Sequence, residues 1–156
     1  MKIILLFVGK TKEKFILNGI DYYLGKLKHY VKTETRIIKP EPIKESSNSA
    51  LIISQESEKI FKTVKNDGPL ILLDREGKQF SSEEFSKLVH KYQKEGNRNI
   101  FFAIGGPLGV SEQLKKQAHL VISLSRLTFT HEMARLILLE QLYRAFTILR
   151  GEKYHK

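Results

Sequence analysis

Three segments rich in glycine and small polar residues each follow an apolar run, where a strand would end. They are Leu73–Gly77, Ile104–Gly109 and Ser123–Thr128. The carboxyl ends of parallel strands meet at one edge of a sheet, where ligands usually bind. Glycine lets the backbone approach a ligand closely, so these loops predict a pocket lined partly by backbone. For the Gly105-Gly106-Pro107 turn, the alternative is a tight turn that simply precedes the next helix.

Several kinds of chemistry are excluded by the residues present. No Gly-Lys-Ser/Thr follows a glycine at Walker A spacing, and Gly105-Gly106-Pro107 interrupts a dinucleotide-binding pattern. The chain has no cysteine, so disulfides, thiolate zinc sites and a cysteine nucleophile are excluded. His29, His90 and His119 lack metal-ligand spacing, and we predict no metal. No Gly-x-Ser-x-Gly or paired-carboxylate pattern indicates a hydrolase.

Two places carry side chains that could act on a substrate. His131 follows the third loop and could serve as a base or contact RNA; the alternative is a helix-start histidine that bonds to the backbone. Tyr154 and His155 lie in a basic tail, where they could stack on a base and exchange a proton; the alternative is a solvated tail. Arg135 and Arg144 are nine residues apart, on opposite sides of a helix, and need not share a site.

The charge of the chain is unevenly distributed. The 156 residues carry a net charge of +10. Residues 1–39 hold nine basic and three acidic residues. Residues 40–96 hold nine basic and ten acidic residues, and residues 97–156 hold nine basic and four acidic residues. Two basic ends around a neutral middle favour a polyanionic partner, and a basic but merely solvated surface is the alternative. The longest apolar run, Ile3–Val8, is too short to span a bilayer, so we expect a cytoplasmic protein.

Hydrophobic periodicity then predicts the elements that must position these residues. We predict strands over Ile3–Val8, Thr33–Ile38, Leu70–Asp74, Asn99–Ile104 and Leu120–Leu124. We predict helices over Lys12–Val31 and Ala50–Val64, a helix capped by Ser81 or Ser82 that runs to Lys94, a short helix capped by Ser111 that runs to Ala118, and a long helix from about His131 to Leu149. A polar turn is predicted over Arg75–Lys78. The alternation indicates one α/β domain over residues 1–156, with a mostly parallel sheet flanked by helices. The apolar stripe of the last helix is a core or dimer face.

Four motifs make the chain recognisable when they are taken together. They are Ile104–Gly109, Leu124–His131, Glu140–Phe146 and the closing Tyr154-His155-Lys156. At these spacings they resemble the ribosomal RNA large subunit methyltransferase H family, small bacterial enzymes of the trefoil-knotted SPOUT superfamily. With the turn at Leu73–Lys78, the likeness covers essentially the whole chain. The combination is specific to the family, although any one motif alone would not be.

The resemblance implies a trefoil-knotted α/β fold, a homodimer and S-adenosylmethionine as the methyl donor. The implied substrate is N3 of a pseudouridine in helix 69 of 23S rRNA, within the assembled ribosome. A SPOUT methyltransferase that acts on tRNA or another rRNA site is one alternative. A ribosome-binding protein without catalysis is another.

The resemblance also assigns residues to two roles. The cofactor pocket would comprise Leu73, Asp74, Gly105, Gly106, Ser125, Arg126, Leu127, Thr128, Phe129 and Thr130. The substrate-facing, catalytic positions would be His131, Arg144, Tyr154 and His155, with either histidine as the base. The chain departs from the family at Thr130, where proline is common, and at Leu108, where glutamate is common.

Overall fold

The computed structural model describes residues 1–155, and the side chain of His155 and all of Lys156 lie outside that description. The strands are β1 Lys2–Val8, β2 Lys32–Ile38, β3 Leu70–Gln79, β4 Asn99–Ile104 and β5 Leu120–Ser123. The helices are α1 Lys14–Leu27, α2 Ser49–Val64, α3 Ser82–Lys94, α4 Glu112–Gln117 and α5 His131–Leu149, followed by a 3₁₀ turn over Lys153–His155. In the described part of the chain, no helix has both the length and the apolar character needed to cross a membrane.

The five strands form one sheet in the order β2-β1-β4-β3-β5, and all four strand pairings are parallel. The predicted α/β class, with a parallel sheet flanked by helices, is therefore confirmed. Every strand ends at the same edge, so the loops that follow β1, β3, β4 and β5 are neighbours. The threading of the chain into a trefoil knot stays a prediction, as does the division into a single domain.

Strands β1 and β4 and the first half of β3 are apolar on both faces because helices cover both, whereas the edge strand β2 is only partly buried. On β1, Ile3, Leu5 and Phe7 pack in a core with α1, α3 and α5. The alternate residues of β1 face a second core, which α2 and α4 close. Covering of both faces explains why these strands appear in the sequence as continuous apolar runs, whereas β2 alternates.

Strand β3 is longer than predicted. The prediction of a polar turn over Arg75–Lys78 is wrong, because β3 continues through a register shift and pairs again with β5 at Lys78 and Gln79. Gly77 permits this pairing: a Cβ there would lie 2.5 Å from the backbone carbon of Ile122. The second half of β3 is polar because pairing of Lys78 and Gln79 with β5, and not burial, holds it in place.

Helix α1 is shorter than predicted at both ends. The apolar periodicity extends from Lys12 to Val31, whereas the helix covers Lys14–Leu27. At its start, the amides of Lys12 and Glu13 donate to the Glu132 carboxylate of α5. A tertiary partner thus fixes this boundary. Helix α3 begins as expected, with a capping box between Ser81 and Glu84.

Candidate active site

One cavity of about 790 Å³ lies at the carboxyl edge of the sheet, beyond β3, β4 and β5. Its volume is typical of small-molecule sites. Twenty-two residues line it: Leu73, Asp74, Arg75, Glu76, Ile104, Gly105, Gly106, Pro107, Leu108, Gly109, Val110, Glu112, Lys115, Ser123, Leu124, Ser125, Leu127, Thr128, Phe129, Thr130, His131 and Ala134. The three loops singled out by their composition therefore meet around one space, as the parallel arrangement predicts.

The turn after β4 brings backbone to the cavity wall. At Gly105, a Cβ would lie 2.7 Å from Cγ1 of Val110, and at Gly106 it would lie 2.7 Å from Oε2 of Glu56. Both positions leave no space for a side chain. Glu56 is itself buried, and one of its carboxylate oxygens accepts from the Glu41 amide, while Oε2 has no hydrogen-bond partner among the described residues. The turn is therefore packed between the cavity and a buried carboxylate of α2.

The loop between β5 and α5 is ordered by its own hydroxyl groups. The Ser123 hydroxyl donates to the Ser125 carbonyl at 2.8 Å, and the Leu127 amide donates to the Ser125 hydroxyl at 3.0 Å. Thr130 caps α5 by accepting from the Met133 amide at 3.1 Å. Its φ of −62° is the value that a proline ring imposes. Threonine in place of the proline that is common in the family therefore preserves the backbone path at residue 130.

Four charged groups sit together on the β3 side of the cavity. The Lys115 ammonium of α4 lies 3.4 Å from Asp74, 2.8 Å from Glu76 and 2.9 Å from Glu112. Burial acts to lower the pKa of Lys115, but its hydrogen bonds to the glutamates and the charge of Asp74 raise it overall. Lys115 is 16% exposed and Asp74 14%, so this ion pair holds the register-shifted part of β3 against α4.

His131 opens α5 at the wall of the cavity. Burial is the largest cause that lowers the pKa of its imidazole, and the positive charges of Arg135 and Lys12 lower it further. The neighbouring Glu132 carboxylate acts in the opposite direction without reversing the shift. The lowered pKa favours the neutral imidazole, which is the form that can accept a proton.

Arg144 and Tyr154 lie in a second cluster, away from the cavity. Arg144 donates through Nε to Glu140 at 3.0 Å, and its guanidinium lies over the Tyr154 ring at 5.0 Å. The Tyr154 hydroxyl donates to Glu140 at 3.2 Å, and its ring meets the Tyr143 ring edge-on. Burial and a hydrogen bond with Tyr23 raise the pKa of Tyr154, so its hydroxyl stays protonated at neutral pH.

Comparison with known proteins identifies the chain. The sequence model described as "Predicted SPOUT methyltransferase" matches residues 1–155. The chain belongs to the SPOUT methyltransferase family. Two full-length relatives, from Syntrophobacter fumaroxidans (43% identical) and Desulfotalea psychrophila (44%), are both named ribosomal RNA large subunit methyltransferase H, and each match covers 100% of both chains. A third relative, from Streptococcus mutans, is 40% identical, is also matched over its full length and has the same name.

A solved structure supports the fold independently. It is a probable methylase family protein from Haemophilus influenzae with a TM-score of 0.57; the match covers 97% of this chain and 67% of that one. Their identity is 13%, so this likeness concerns the fold alone. The family comparison confirms the resemblance drawn from the motifs. It also confirms the predicted enzyme class, a methyltransferase.

In this SPOUT methyltransferase the structure brings together most of the cofactor positions named from the motifs, with His131 beside them. Arg126 is exposed, and its neighbours Ser125 and Leu127 line the cavity instead. Arg144 lies 13 positions beyond His131 on the same helix, which is roughly 20 Å at the helical rise. The catalytic role predicted for His155 falls on a side chain outside the described residues.

Sequence reasoning did not assign a role to several residues that shape the site. Lys115 and Glu112 line the cavity, and Glu56 packs behind it. The spacing of Glu112 and Lys115 by three positions indicates an ion pair on one helix, but it carries no signal for the partner on β3. Among the described residues, no group of three or more histidine, aspartate or glutamate side chains is placed to hold a metal ion.

Proposed function

We propose that this protein transfers a methyl group from S-adenosylmethionine to N3 of a pseudouridine in helix 69 of 23S rRNA, on the assembled ribosome in the cytoplasm. The observation that carries the proposal is the full-length likeness, near 40% identity, to relatives named for the ribosomal RNA large subunit. The net charge of +10 supports an RNA substrate, because phosphate contacts dominate such affinities.

The cavity fits the proposed donor in shape and in chemistry. Gly105 and Gly106, which leave no room for a Cβ, would let their backbone hold the adenosine and methionine parts closely. Leu73, Leu127 and Phe129 offer apolar surface, and the Asp74 carboxylate, although paired with Lys115, could accept from a ribose hydroxyl. Ser125, Arg126, Thr128 and Thr130 complete the proposed cofactor set. When bound, S-adenosylmethionine supplies an electrophilic methyl group on a positively charged sulfur.

The acceptor requires a base because N3 of a uracil-type ring carries a proton and is weakly nucleophilic until it loses it. His131 lies at the cavity wall with a lowered pKa, so its neutral imidazole can take that proton at neutral pH. His155 is the other candidate base. Tyr154 cannot serve as the base because its raised pKa keeps the hydroxyl protonated, and stacking on a base is its proposed role.

Arg144 would stabilise the anion that forms on the pyrimidine ring. Its distance from His131 along α5 argues against both acting in one cavity from the same chain. We therefore propose a homodimer in which Arg144 and Tyr154 of one subunit complete the cavity of the other. Exposed apolar side chains on α1, Phe15 and Tyr22, are 60% and 58% exposed and would be covered by a second subunit.

The proposal is tested by transfer of tritium from labelled S-adenosylmethionine to ribosomes that lack the modification, followed by mapping of the labelled nucleotide. We expect label on a single pseudouridine of the large subunit. Isolated 23S rRNA and tRNA are the comparison substrates. Label on tRNA or at another rRNA position would overturn the assignment in favour of a different SPOUT substrate.

Calorimetric titration with S-adenosylmethionine separates an enzyme from a binding protein. We expect saturable heat with one donor per cavity. Absence of any heat, together with retained binding to ribosomes, would favour a ribosome-binding protein without catalysis.

A further inference from the structure

The loop that follows β1, residues Gly9–Glu13, lies next to the cavity although it does not line it. In the sheet order, β1 is the immediate neighbour of β4, whose loop forms the glycine turn. Neighbouring strands are separated by about 4.8 Å, so their loops adjoin. The end of β1 also touches the cavity wall, because a Cβ at Gly106 would lie 3.3 Å from Cγ1 of Val8.

Two buried side chains of α5 fasten this loop. The Glu132 carboxylate accepts from the amides of Lys12 and Glu13 at 3.0 and 3.1 Å. Arg135, which is fully buried, donates to the Thr11 hydroxyl at 2.8 Å and to the Val8 carbonyl at 2.6 Å. Burial opposes ionisation of Glu132, but its amide donors outweigh burial and lower the pKa of that carboxyl group. The loop is therefore tied to the helix that begins at His131.

The β1–α1 loop and the first residue of α1 present three cations to solvent. Lys10, Lys12 and Lys14 are exposed, and within residues 1–155 none of their ammonium groups pairs with a carboxylate. Some lysines elsewhere, such as Lys2 and Lys59, are paired with glutamates. A rigid backbone that carries unpaired charges loses little conformational entropy when it binds an anion. The positive charge of Lys12 is also close enough to act on His131.

We propose that Lys10, Lys12 and Lys14 form a phosphate-binding rim that holds the RNA strand beside the target nucleotide. The inference rests on the proposed function and specifies where the substrate backbone lies. Phosphate contacts position a nucleic acid without reading its sequence, so the rim sets the distance between the strand and the cavity. The buried Glu132 and Arg135 make the rim and His131 parts of one rigid unit.

The test compares the triple variant Lys10→Ala/Lys12→Ala/Lys14→Ala with a control that removes the same charge elsewhere. Lys28→Ala/Lys32→Ala/Lys94→Ala is that control, because these exposed lysines lie where α1 ends, β2 begins and α3 ends, at the opposite edge of the sheet. We measure KM for ribosomal subunits, kcat, and the dependence of kcat/KM on salt. For the rim variant we expect KM to rise about tenfold with little change in kcat, and the logarithmic salt slope to become shallower by about 2.

The control variant should change the salt slope by much less. Lys→Arg substitution at the three rim positions should retain the salt slope of the unaltered protein. An unchanged salt slope in the rim variant, or an equal decrease of the slope in the control, would overturn the proposed phosphate-binding rim. A changed molecular mass by light scattering would overturn it as well, because the lysines would then support a subunit contact. Melting curves and calorimetry with S-adenosylmethionine verify that the variant is folded and binds the donor. If the unaltered protein does not methylate ribosomes, the proposed function fails instead.

Discussion

His131 and the glycine turn show how single residues determine the chemistry of the site. The imidazole stands at the start of α5, half-buried beside Arg135, and both circumstances favour its neutral form. Gly106 stands between the cavity and the buried Glu56 carboxylate. In the proposed function His131 would accept a proton, whereas Gly106 leaves no space for a side chain, and each has a measurable consequence.

For His131, we predict that Gln substitution lowers kcat about a hundredfold, the usual contribution of a general base. A base must be unprotonated, so activity of the unaltered enzyme should be retained at neutral pH and lost as the pH falls through a lowered pKa, below about 6.5. His131→Gln should abolish that acid limb. A variant that keeps both the rate and the limb would assign the base role to His155.

For Gly106, we predict that Ala substitution weakens binding of S-adenosylmethionine and destabilises the fold by about 1–3 kcal/mol, the range for overpacking. The added Cβ would lie 2.7 Å from the Glu56 carboxylate, whose other oxygen is already held by the Glu41 amide. Calorimetry and denaturant unfolding measure the two effects. Gly25→Ala is the control: nothing lies within 4 Å of its Cβ, and it should stabilise α1 by about 0.5–1 kcal/mol.

At the scale of the elements, the site depends on contacts between neighbours that are distant in sequence. Helix α4 has six residues, too few to be stable alone, yet it supplies the Lys115 ammonium that holds the acidic end of β3. Helix α5 does the same for the β1–α1 loop through Glu132 and Arg135. The cavity wall is therefore held by side chains of the adjoining helices.

For this contact we predict that Lys115→Met destabilises the protein by about 1–2 kcal/mol, because it leaves the nearly buried Asp74 carboxylate without its cation. Lys62→Met is the matched control, since its pair with Glu58 is exposed and lies on a single helix. The control should change the free energy of unfolding by no more than about 0.5 kcal/mol. Equal effects in urea unfolding would contradict a special role for Lys115.

At the scale of the whole molecule, the proposed function requires the two clusters to come together. One chain places His131 at the cavity and Arg144 with Tyr154 roughly 20 Å along α5, a separation set by the helical rise. In the proposed twofold-symmetric dimer, the cavity of each subunit would meet the Arg144 patch of its partner, which would form two equivalent sites. Such a dimer would give the small chain a pocket for both the proposed donor and RNA.

A mixed dimer tests this arrangement. Subunits with Gly106→Ala supply an intact Arg144, and subunits with Arg144→Ala supply an intact cavity. If sites are shared, random reassortment of the two inactive proteins should restore about a quarter of the activity, since half the dimers are mixed and each has one complete site. Tritium transfer measures the recovery. No recovery from a verified mixed dimer would contradict the shared site.

The sequence alone determined the elements whose signal is local. Apolar runs predicted four of the five strands and alternation predicted β2, while the cap candidates Ser81 or Ser82 and Ser111 predicted where two helices begin. Composition located the three loops because backbone that approaches a ligand needs small residues there. Parallel strand order then required the loops to meet, so a cavity could be predicted before its walls were known.

The tertiary structure decided what depends on distant partners. Periodicity along one element reports burial but not the identity of the neighbour, so it ended β3 at Asp74 although pairing with β5 extends it to Gln79. Arg135 was predicted only to face away from Arg144, and packing against β1 is what buries it completely. The spacing of Arg144 from His131 along α5 could be read from the sequence, but only the tertiary structure shows that His131 lines the cavity and that Arg144 does not.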